Sequence, residues 1–134
     1  MPPLPPLPWT AIGVAAAVYF VLGGIWYGVF GKAWLAALGK TKADMNARDP
    51  KPFFMAAVGA FVNAAALGWL TQATMCETTA HAMALGALLG VGIILAASAK
   101  HYAFSGWSAR LLAIDVGLDV VGFIAMGLVF GLMK

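Results

Sequence analysis

Charge is what this chain most lacks. Only 10% of its 134 residues are Asp, Glu, Lys or Arg, against roughly 25% in ordinary soluble domains. So little polar material cannot coat a water-exposed surface. Three stretches carry no charge at all: Pro2 to Gly31, Pro52 to Cys76 and Thr78 to Ala99. A single cysteine, Cys76, excludes an intramolecular disulfide framework. No Lys or Arg precedes Lys32, so the first apolar run has no basic n-region and is expected to stay as a span, not to be cleaved as a signal peptide. Nucleophile-elbow, phosphate-loop, zinc and haem-attachment signatures are also missing. The expectation is therefore a protein that is not an enzyme and needs no cofactor. The net charge of +3 gives no nucleic-acid footprint, and no nucleic-acid partner is expected.

What fills the chain is hydrocarbon. Residues of the hydrophobic class make up 63% of it, and the uncharged runs reach the ~20 residues that a helix needs to span a bilayer core. These runs lack two-residue alternation and are rich in Ala, Leu, Gly and Met, which favours helices over strands. In lipid each helix also satisfies its own backbone. The fold class expected is all-α: an integral membrane bundle of four transmembrane helices forming one domain, residues 1–134. The spans fall at about 9–30, 52–73, 81–102 and 110–133, with an interfacial segment over 31–51. Before the first span, Pro2, Pro3, Pro5, Pro6 and Pro8 form a stiff extended lead with a P-x-x-P pattern.

Orientation follows from the basic residues. Lys32, Lys40, Lys42, Arg48 and Lys51 lie in the first connection, Lys100 and Arg110 flank the third, and the opposite side has only Lys134. The positive-inside tendency then places both termini outside. A bacterial inner (cytoplasmic) membrane is the expected location. Trp34, Leu35 and Leu38 share one side of a short helical stretch between Lys32 and Lys40. That pattern suits an interfacial segment near anionic headgroups, either as ordinary anchoring or as specific lipid binding.

The segment Gly24-Ile25-Trp26-Tyr27-Gly28-Val29-Phe30-Gly31-Lys32-Ala33-Trp34, together with Leu112-Ala113-Ile114-Asp115 and the later Met126-Gly127, is similar to the domain of unknown function 1761 family of small bacterial membrane proteins. The resemblance covers nearly the whole chain and implies a shared four-helix bundle. It implies no activity. It singles out Asp115, whereas Asp119 is particular to this sequence.

Candidate functional residues follow from cost. A carboxylate near the centre of a spanning helix costs ~2.5–3.5 kcal/mol on insertion scales, so it must face protein or water. Asp115 and Asp119 are four residues apart and share one helical face. By depth, Asn63 and Tyr19 lie at the level of Asp119, and Lys100 and His101 near that of Asp115. This set reads either as a proton or cation path or as a polar clamp between helices. Gly24 and Gly28, Gly86 and Gly90, and Gly127 and Gly131 form small-x-x-x-small pairs suited to close helix packing. So many packing faces point to a homo-oligomer or a larger membrane complex. Cys76, Glu77 and His81, with Met75 and Met83 nearby, can be drawn as a soft-metal site, though one Cys and one His make no recognised motif. The leading expectation is a self-associating or accessory membrane subunit. The alternative is a small proton- or cation-coupled transporter or channel.

Overall fold

The computed structural model describes residues 3, 5–45 and 48–134; Pro2 of the proline lead lies outside them. The described residues form helices only, in the order α1 (Trp9–Leu38), a 3-10 turn (Lys42–Asp44), α2 (Lys51–Ala73), α3 (Thr79–Ser105) and α4 (Ala109–Leu132). All four α-helices are long and apolar enough to cross a membrane. Helices that are apolar on every side belong in lipid, and the protein is a multi-pass membrane protein.

Local chemistry sets the helix ends. α1 runs past Phe30 to Leu38, so Trp34, Leu35 and Leu38 belong to its final turns and not to a separate interfacial helix. Gly31 does not end it, because one glycine inside a helix costs only about 1 kcal/mol. Gly39 does end it. At φ 69° it is left-handed, and the Gly39 and Lys40 N–H groups donate to the Ala36 and Leu35 carbonyls, the two bonds that close a helix C-terminus around such a residue. Gly106, at φ 72°, closes α3 with the same pair of bonds. Thr78 and Ser108 cap the starts of α3 and α4 by accepting from the backbone N–H of His81 and Leu111. α3 also carries a π-helical turn over Gly90–Leu95.

α4 is the central helix. It packs along α3 and α1 and touches α2, whereas α2 leans mainly on α1 and barely meets α3. The shared core joins Ile12 and Ala15 of α1, Ala64 and Leu67 of α2, and Phe123, Met126 and Phe130 of α4. This core lies toward the N-terminal end of α1. At the other end α1 and α2 separate, and α2 is exposed from Lys51 to Val58.

The glycine pairs divide into two groups. A Cβ on Gly86 would stand 2.2 Å from the Phe123 carbonyl oxygen, and one on Gly127 2.5 Å from that of Ala82. A Cβ on Gly90 would meet the Val120 backbone, and one on Gly131 the Thr79 backbone. Both pairs therefore set the α3–α4 contact. Gly24 and Gly28 differ: among the described residues a Cβ on either meets no neighbouring helix within 4 Å.

Candidate functional site

The site grows from two backbone gaps in α4. Gly122 is buried beneath Tyr19, and a Cβ there would fall 2.3 Å from the Tyr19 ring. Gly117 does the same for Trp26, whose ring would stand 3.0 Å from a Cβ. Without side chains at these two positions, two aromatic residues of α1 lie directly against α4. Trp26 Nε1 then donates to the Ile114 carbonyl at 2.8 Å, which fixes α1 one residue before Asp115.

On this footing the tyrosines meet the acids. The Tyr19 hydroxyl donates to Asp119 Oδ1, and Asn63 of α2 lies near that hydroxyl. Asp115 takes two donors, Tyr27 of α1 on Oδ1 and Tyr102 of α3 on Oδ2, each at 2.6 Å. Trp34 and Trp107 hold the Tyr27 and Tyr102 rings edge-on, with centroids 5.7 and 5.1 Å apart. Both acids of α4 are thus bound by hydroxyls of α1 and α3, and Asn63 brings α2 near the cluster. Among the described residues no buried side-chain N or O lacks a hydrogen-bond partner.

Tyr19 binds Asp119 and Asn63 lies near Tyr19, but Lys100 and His101 do not join Asp115. Both are exposed and hydrogen-bond neither acid. Depth places them at the right level, but both side chains stay exposed. Tyr27 and Tyr102 stand where those cations were expected. Their positions in an aromatic belt gave their depth and not the side of the helix they face. Their spacing held a usable signal, since Tyr19 and Tyr27 lie eight residues apart and nearly share a helical face. Cys76 is buried, with its Sγ 3.4 Å from Thr74 Oγ1, while Glu77 and His81 are exposed. Among the described residues no three His, Cys, Asp or Glu converge as a metal site.

Beside the cluster the separation of α1 from α2 opens a lateral slot of about 600 Å³. Tyr19, Tyr27 and Leu118 reach it from the cluster, Phe53 and Ala56 line it from α2, and Gly24 leaves the α1 wall open.

A family model described as Protein of unknown function (DUF1761) matches residues 10–131. No curated protein and no solved structure matches the chain.

Proposed function

The chain belongs to the DUF1761 family, and from that premise we propose that it is an accessory membrane bundle that holds a second membrane component against α1. The observation that carries this reading is the uncovered Gly24–Gly28 ridge beside the slot. The Gly86–Gly90 and Gly127–Gly131 pairs are taken up inside the bundle, whereas among the described residues no other helix comes within 4 Å of a Cβ on Gly24 or Gly28. Small residues let another chain or molecule approach a helix backbone closely in lipid, where packing drives association. The acid–tyrosine cluster serves this reading as a clamp. It fixes α1 against α4 and leaves the slot side of α1 open.

A photoactivatable side chain in place of Gly28 tests the proposal in native membranes. It is expected to give one discrete adduct on irradiation, while the same group at Val29, 70% exposed on another side of α1, gives only diffuse lipid labelling. Equal, diffuse labelling at both positions would sink the reading.

One observation favours a second reading, a proton- or cation-coupled path. The hydroxyls and carboxylates of Tyr102, Asp115 and Tyr27, and of Tyr19 and Asp119, form two short hydrogen-bonded chains inside the bundle. Such a path requires a flux that depends on Asp119.

A further inference from the structure

The lateral slot is apolar along its length and cationic at one end. Phe20, Gly24, Phe53 and Ala56 supply carbon surface, and Lys42 and Met45 of the first connection stand at its lip. A second cavity of about 570 Å³ adjoins it around α1, and there Lys32, Lys40 and Lys42 gather. The two hollows share Tyr27, Gly31, Leu35 and Lys42, so they form one continuous surface. All three lysines are exposed. Asp44 is near enough to feel Lys40, but its carboxylate is engaged by the Thr41 N–H at 2.8 Å, which holds it below the usual carboxylate range. One acid against three lysines leaves the lip positive.

The pattern of polarity decides the occupant. The slot follows α1 from Tyr19 to Leu35, a rise of about 24 Å at 1.5 Å per residue. Its walls are carbon, and among the described residues Lys42 is the one charged group that lines it, continuous with Lys32 and Lys40 of the adjoining hollow. A molecule with an apolar tail and an anionic head matches both parts, whereas an apolar helix would leave the three lysines unmatched.

We propose that this surface binds one anionic phospholipid, with an acyl chain along the slot and the headgroup phosphate against Lys32, Lys40 and Lys42. The assignment rests on the accessory reading and names the component held. Lysines beside a membrane attract anionic headgroups, and three of them at the end of an apolar slot select both halves of the molecule.

The test uses the full chain reconstituted in vesicles of phosphatidylcholine doped with phosphatidylglycerol. In separate arms, one lipid or the other carries bromine on its acyl chains. Trp34 lines the slot, and a Trp34→Phe variant identifies its share of the fluorescence. Brominated phosphatidylglycerol is expected to quench Trp34 at low mole fraction, and brominated phosphatidylcholine only in proportion to its abundance. Replacing one lysine by Gln should weaken the preference about fivefold, and replacing Lys32, Lys40 and Lys42 together more than tenfold. Gly24→Leu, which fills open space in the wall, should abolish the preferential quenching with the lysines intact. Equal quenching by the two lipids, or a preference unchanged in the triple variant, overturns the proposal. So does glycerol phosphate competing from water as well as the whole lipid does. If the lipid preference fails while the Gly28 probe still yields one discrete protein adduct, the accessory reading stands without its lipid; if both fail, both fall.

Discussion

Asp119 and Asp115 are held to different degrees. Asp119 has one tyrosine donor, whereas Asp115 has two, from different helices. Removing Tyr19 therefore leaves Asp119 without its hydroxyl inside a half-buried site, while removing Tyr102 leaves Tyr27 in place. Losing the partner of a buried polar group costs about 1–3 kcal/mol, and an ordinary interhelical hydrogen bond in a membrane is worth about 0.6 kcal/mol. Tyr19→Phe is expected to destabilise the bundle by about 1–2 kcal/mol. Tyr102→Phe should cost about 0.6 kcal/mol. Reversible unfolding in mixed micelles would measure both, and equal losses would contradict the clamp. At this scale much of the site was legible. Two intramembrane acids stand out in so uncharged a sequence, and depth alone puts Tyr19 and Asn63 beside Asp119. Depth carries no azimuth, however. Lys100 and His101 therefore share a level with Asp115 without reaching it, and Tyr27 and Tyr102 looked like interfacial aromatics.

Among the helices, the α3–α4 pair is the most closely packed, and glycine is the reason. A Cβ on Gly86 would lie 2.2 Å from the Phe123 carbonyl oxygen, which belongs to the α4 backbone and cannot rotate aside. Gly86→Ala should therefore force the two helices apart at a cost of about 1–3 kcal/mol or more, the usual penalty for overpacking. Gly24→Ala, with nothing near its Cβ, should leave stability unchanged within about 0.5 kcal/mol. Parallel unfolding of the two variants checks the contrast, and a comparable loss in both would mean that α1 is covered at Gly24 as α3 is at Gly86. Small-residue spacing shows which helix faces can approach closely, but not which of them find a partner in the same chain. α1 continues beyond the expected span end at residue 30 for a related reason. A Gly-Lys pair at Gly31 and Lys32 resembles a boundary, but Trp34 and Leu35 carry the apolar helix onward. The true stop is Gly39, whose left-handed backbone only a glycine adopts without strain.

As a whole, the molecule puts the helix that carries both intramembrane acids at its centre. α4 carries both acids and contacts each of the other three helices, so the residues costliest to place in lipid are also those that tie the bundle together. A conduit would use the same carboxylates differently. It would need a continuous polar route from one end to the other, with groups that release what they bind. The hydrogen-bonded hydroxyls reach from Tyr102 near one end only as far as Tyr19 and Asn63 near mid-span. Beyond Asp119 the core of Ile12, Leu67, Met126 and Phe130 is apolar and closed, and Gly68 lies so close to Phe130 that a Cβ would be 2.8 Å from the ring. An ion meeting that plug loses its hydration with no donor or acceptor in exchange, a penalty of several kcal/mol at least. Liposomes containing the chain are therefore expected to hold a pH gradient as long as empty ones, and Asp119→Asn should alter stability without altering leak. A gradient that collapses with the native chain and survives with Asp119→Asn, in bundles of equal stability, would show that the acids conduct and that the plug opens.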